Sequence, residues 1–239
     1  MDLELLKIFA SAFSGAFFAF VFIRISEILK AKRDRKNKNI KSLLSIQYLC
    51  NENYNTLNDT IYSLNDSIRI FEEAKKRNQD PYTPLLFKKL SINKEIILEL
   101  TNNDFVNDYF SYSIMVAKHN DDIESINTFK NTFQIARLSS NISPENYIEN
   151  MNRLKEQFKD FIKYCYDSMD RTQEILVKCR VLLNKENPWY SKLLFWKDTG
   201  YPKNFKSDYE KELLIAKKEV EQVKKNSEHR NLKIENKAL

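Results

Sequence analysis

The sequence predicts an all-α protein: a single N-terminal transmembrane helix, then an elongated cytoplasmic helical bundle with long heptad-patterned helices. Three observations carry this. Two Gly and five Pro in 239 residues leave little material for the tight turns of hairpin-rich β folds. Apolar residues recur at 3–4 spacing over two long stretches. A sixteen-residue uncharged run, Ile8 to Ile23, leads straight into a burst of positive charge.

That run comes first. At 1.5 Å per residue it is about 24 Å long, and Leu5, Leu6, Ile25, Ile28 and Leu29 extend it towards a hydrocarbon core of about 30 Å. A cleaved signal peptide needs a basic start and a small-residue cleavage site. Here Asp2 and Glu4 precede the run and Arg24 follows it, so a spanning helix over 1–29 is expected. From Arg24 to Lys41 stand eight basic and two acidic residues, which accounts for the whole +6 net charge. The positive-inside rule then puts the bulk of the chain in the cytoplasm and the N-terminus outside. Ser11, Gly15 and Ala19 recur every four residues, a spacing that lets helices approach closely. With Ser14 they are the expected packing or pore-lining face. Arg24, Lys30, Lys32, Arg33, Arg35 and Lys36 are the expected cytoplasmic mouth, a contact for anionic lipid or an anionic ligand.

A basic juncture, 30–41, separates this helix from the bundle expected over 42–223. Ile40, Leu43, Gln47, Cys50, Tyr54, Leu57, Ile61, Leu64, Ile68 and Phe71 keep an unbroken 3-4 spacing and predict a helix from about 39 to 77. "NQDPYTP" ends it, with Thr83 as N-cap and Pro84 at the first position of the next helix. Three shorter helices are expected at 84–100, 104–118 and 121–138. Ser143 and Pro144 then open a second long helix to about 184. Its stripe is Met151, Leu154, Phe158, Phe161, Cys165, Ser168, Thr172, Ile175, Cys179 and Leu182. The aromatic cluster Trp189, Tyr190, Phe195 and Trp196 is expected to cap the bundle. Ser207 and Glu210 form a capping box for a last helix to about 226, and 224–239 is a polar tail.

Enzymatic signatures are lacking. Glycine stands only at 15 and 200, so no phosphate-cradling loop can form. His119 and His229 have no metal-ligand spacing, one falling at a helix end and the other in the tail. Cys50, Cys165 and Cys179 sit on apolar stripes and suit buried reduced thiols. Asp121, Asp122 and Glu124 resemble helix-start charges, and Glu95 and Glu99 an ordinary exposed pair. No catalytic residue, metal ligand or cofactor is expected, and the chain is expected not to be an enzyme.

The layout resembles the membrane effectors of bacterial anti-phage defence operons, and among them the Hailong-type effector paired with a nucleotidyltransferase. The resemblance rests on the Ser11–Gly15–Ala19 helix, the basic juncture and the long helical remainder. It implies an antiviral effector of the bacterial inner membrane: a homo-oligomer, joined through the transmembrane and heptad helices, that forms or gates an ion channel in the lipid bilayer. A nucleotide or oligonucleotide made by the partner enzyme would hold it closed, and release would depolarise the cell. The alternative is a membrane-tethered scaffold or interaction module that recruits a cytoplasmic partner.

Overall fold

The computed structural model describes residues 3–77, 79–82, 86–185 and 205–235, with side chains for 13–77, 79–82, 86–184, 205–222 and 224–225. Among the described residues four α-helices follow one another: α1 (Leu3–Lys76), α2 (Asn103–Leu138), α3 (Pro144–Lys185) and α4 (Phe205–Glu235). A 3-10 turn, Glu95–Glu99, precedes α2. The expected aromatic cluster at 189–196 and the cap at Thr83 and Pro84 lie outside the described residues.

The all-α expectation holds, and α3 organises it. All ten residues of its predicted stripe, from Met151 to Leu182, are buried. The helix starts where Ser143 and Pro144 place it: the Ser143 hydroxyl accepts from the Asn146 amide, and the Tyr147 amide donates to the Ser143 carbonyl. α3 packs against α1, α2 and α4 in turn. The register with α1 is antiparallel, since Phe71 stacks on Phe158 at 5.8 Å and Lys155 reaches Glu72. It is antiparallel with α2 as well, because Lys178 pairs with Asp108 at 2.7 Å while His119 lies against Phe161. α4 runs back along α3, with Lys224 on Asp170 and Lys178 over the Tyr209 ring.

Helices α1 and α2 therefore point the same way, so the chain must return along the bundle between them. It does so as a strap. Residues 86–94 carry no helix where one was expected at 84–100. Its extended backbone groups are satisfied by side chains of both flanking helices, which is what lets non-helical chain be buried at all. The helices expected at 104–118 and 121–138 form one continuous α2, capped by Asn102, whose side chain accepts from the Phe105 amide. The last helix begins at Phe205, so Ser207 lies within its first turn rather than at its cap.

α2 closes with a Schellman motif. The Asn141 amide donates to the Ala136 carbonyl and the Ser140 amide to that of Arg137. Ser140 takes the left-handed position at φ 56°, which costs a side-chain-bearing residue about 1 kcal/mol and glycine almost nothing. Ser140→Gly is expected to stabilise the fold by about 0.5–1 kcal/mol in urea unfolding; a loss of stability would show that the serine is held there by something other than the turn.

The largest correction concerns α1. Among the described residues no helix is long and apolar enough to cross a membrane. Within the described side chains the uncharged stretch ends at Arg24. Glu27 and Lys30 follow within two turns. The transmembrane helix at 1–29, the inner-membrane location with an exported N-terminus and the bilayer as partner are therefore not supported. Nor are the oligomer through membrane helices, the depolarising pore or the membrane tether. The likeness to the Hailong-type effectors rested on that architecture and loses its basis, and with it the nucleotide made by a partner enzyme.

Candidate functional site

The expected site residues all lie on the part of α1 that runs ahead of the bundle. Helix α1 continues unbroken through 74 residues, about 110 Å, but its burial begins only at Asn39, Ser42 and Leu43. From Phe13 to Lys38 nearly every residue is exposed. Ser14, Gly15 and Ala19 are exposed, and a Cβ added at Gly15 would meet nothing within 4 Å. The side chain of Ser11 is outside the described set. Arg24 pairs with Glu27 at 3.2 Å and lies 5.5 Å from the centre of the Phe20 ring. Lys30, Lys32, Arg33 and Arg35 are exposed and Lys36 is half-buried. The arm also carries Phe13, Phe17, Phe18, Phe20, Phe22, Ile23, Ile25, Ile28 and Leu29, each about half exposed or more. The sequence showed these residues as apolar; that they stay uncovered is visible only in the fold.

Within the bundle, three asparagines hold the strap by its main chain. Asn53 on α1 accepts from the Ser91 amide at 2.7 Å and donates to the Ser91 carbonyl at 2.8 Å and to the Tyr112 hydroxyl at 2.8 Å. Asn120 on α2 does the same for Leu90, at 2.7 and 2.9 Å. Asn127, two turns on, grips Phe87 at 3.1 and 3.0 Å. Asn39 takes the Thr101 amide, and the Ser42 hydroxyl donates to Glu99, so that Glu99 pairs with the bundle rather than with Glu95. An amide side chain offers one donor end and one acceptor end, which matches the N–H and C=O of an extended residue.

The three thiols, one histidine and one lysine are sealed in the bundle. Cys50, Cys165 and Cys179 are free and buried; burial pushes the Cys50 thiol up to about 12 and raises the other two as well. They are protonated at neutral pH, and a thiol is a poor nucleophile. His119 falls in mid-helix rather than at a helix end, and it is fully buried. Its ring lies 5.0 Å from that of Phe161 and 5.7 Å from that of Tyr164. Neither nitrogen has a hydrogen-bond partner, and burial lowers its pKa to about 4. Lys130 is also buried, its ammonium 5.5 Å from the Phe87 ring centre and its pKa lowered by burial. Among the described residues no group of His, Cys, Asp and Glu is arranged to hold a metal ion.

On the other side of the α2–α3 pair, Phe129, Phe161, Tyr164, Asp122 and Asp160 line an open cleft of about 370 Å³. Asp121 and Glu124 point elsewhere: neither lines the cleft, and Glu124 is held by Lys89 at 2.6 Å.

Comparison with family models, with curated proteins and with solved structures finds no match to this chain.

Proposed function

We propose that the chain is an interaction protein rather than an enzyme: a rigid helical bundle that presents the arm of α1 to the helices of a partner protein. The observation that supports it is the run of exposed aromatic and branched side chains from Phe13 to Leu29 on a helix whose later turns are buried in the bundle. A contiguous apolar surface of this kind marks an interaction site, since water leaves it costly to expose. Ser14, Gly15 and Ala19 interrupt the bulk with small side chains, so a second helix can approach to about 8–10 Å between axes. The basic turn from Lys30 to Lys36 then favours a partner whose adjoining segment is acidic. The non-enzymatic half of the reading draws on the sealed thiols and the neutral, buried His119.

Photo-crosslinking in the full chain tests it, with a benzophenone amino acid placed at Phe18 or at Leu98, which is 88% exposed on the bundle. Adducts to protein are expected at Phe18 and not at Leu98, and Phe22→Asp with Ile25→Asp in the same chain should abolish them. Equal labelling at both positions, or adducts that survive the two aspartates, would sink the reading.

A further inference from the structure

The cleft between α2 and α3 has the chemistry of an amine site, independently of the arm. Phe129, Phe161 and Tyr164 turn aromatic groups into about 370 Å³ of open space, and Asp122 and Asp160 bring carboxylates to the same space from opposite helices. Aromatic faces and carboxylates are the two kinds of group that stabilise an organic cation, the first through the ring quadrupole and the second by charge. Asp160 is only loosely engaged: Lys163 stands 3.2 Å away, but both side chains are about 80% exposed, and such a pair is worth little in water. The Tyr164 ring already keeps an ammonium beside it, that of Lys118 at 5.6 Å from its centre, so a primary amine is a compatible neighbour for this ring.

His119 is the second observation. It is fully buried with both nitrogens unpartnered, and its ring packs against two of the aromatic walls, Phe161 and Tyr164. Because burial keeps that imidazole neutral at pH 7, the histidine itself adds no positive charge against a cation in front of the walls.

We infer that this cleft binds a primary alkylammonium group, with the aromatic walls against the methylenes and Asp122 and Asp160 on the nitrogen. A free polyamine and a lysine side chain of another protein offer the same group.

The test is a titration of the full chain, at low salt, with spermidine and separately with acetyl-Gly-Lys-Gly-amide, following the His119 ring resonances by NMR. Saturable binding of at least one probe is expected, with movement of the His119 signals. Asp122→Asn with Asp160→Asn, the first at a half-buried and the second at an exposed position, should weaken it roughly tenfold, and Asp208→Asn on α4 should leave it unchanged. Tighter binding of spermidine assigns the site to a free polyamine, and tighter binding of the peptide assigns it to a protein lysine. The inference is overturned if neither probe saturates, if the His119 signals stay fixed, or if the double variant binds as well as the parent. None of these outcomes touches the arm, whose test is the crosslink at Phe18.

Discussion

Asn53→Ala is expected to cost about 3–5 kcal/mol of folding stability, a third or more of what a domain of this kind has. Asn53 is 1% exposed, and its amide serves three partners: the Ser91 amide, the Ser91 carbonyl and the Tyr112 hydroxyl. Alanine removes all three bonds at once. Tyr112 keeps its contact with the Thr172 hydroxyl, but both main-chain groups of half-buried Ser91 are left without these partners, and each pays a desolvation penalty of about 1–3 kcal/mol. Asn53→Asp should do nearly as badly, because a carboxylate accepts from the Ser91 amide but has nothing to donate to its carbonyl or to Tyr112. Asn127→Ala, at a half-buried position, should cost only about 1–2 kcal/mol. Urea unfolding of the full chain measures all three, and amide exchange at Leu90 and Ser91 should rise most in the Asn53 variants. A change under about 1 kcal/mol for Asn53→Ala would mean that the strap is held by its apolar anchors, Phe87 and Leu90, and not by the asparagines.

The same residue explains what the sequence hid. In α3 the stripe was legible because burial there falls mostly on apolar side chains, and the period of the helix exposes them. In α1 one row was equally plain: Leu43, Cys50, Leu57, Leu64 and Phe71 are buried. Its companion row was misplaced. The heptad pattern chose Ile40, Gln47, Tyr54, Ile61 and Ile68, of which only Ile61 is fully buried. The second buried row is Asn39, Ile46, Asn53, Thr60, Ser67 and Ala74. Four of these six are polar, and a polar residue on a helix reads as solvent-facing until its partner is known.

Asn53 finds its partner on the strap and Asn39 at Thr101 just beyond it, while Thr60 and Ser67 donate to carbonyls of α1 itself; the strap's own misreading has the same cause. Phe87 and Leu90 are three apart and suit a helix, but Asn120 and Asn127 satisfy their backbone in extended form, so tertiary bonds override local spacing. Asn120 likewise looked like a break between two helices, when it is a clamp in the middle of one. The cleft was out of reach for a different reason: Asp122 and Asp160 come together only through the antiparallel register of α2 and α3. The charge-free run at the N-terminus was plain as composition, but composition does not say what covers a helix.

Acidification supplies the other large effect. His119 should make the fold lose roughly 3 kcal/mol between pH 7 and pH 4, since each unit of pKa difference is worth about 1.4 kcal/mol. The ordinary imidazole pKa is 6.5, and burial lowers it to about 4 in the folded chain. Above pH 6.5 both states are neutral there and the histidine has no effect. Between 6.5 and 4 the unfolded chain takes up a proton that the folded one refuses, so stability falls as pH falls through this window. Below about 4 both states are protonated and the loss is complete. Nothing around the ring relieves it: the faces presented to it by α3 are those of Phe161 and Tyr164, and its nitrogens have no acceptor. His119→Phe keeps the aromatic packing and discards the titration. Its stability should therefore match or exceed that of the parent at pH 7 and pull ahead by roughly 3 kcal/mol at pH 4, read from urea midpoints at a series of pH values. Carboxylates also titrate towards the low end, but they do so equally in both proteins and cancel in the difference. Parallel pH profiles for the two proteins would mean that the imidazole finds a proton acceptor when the bundle breathes, and that the buried ring is not the source of acid sensitivity.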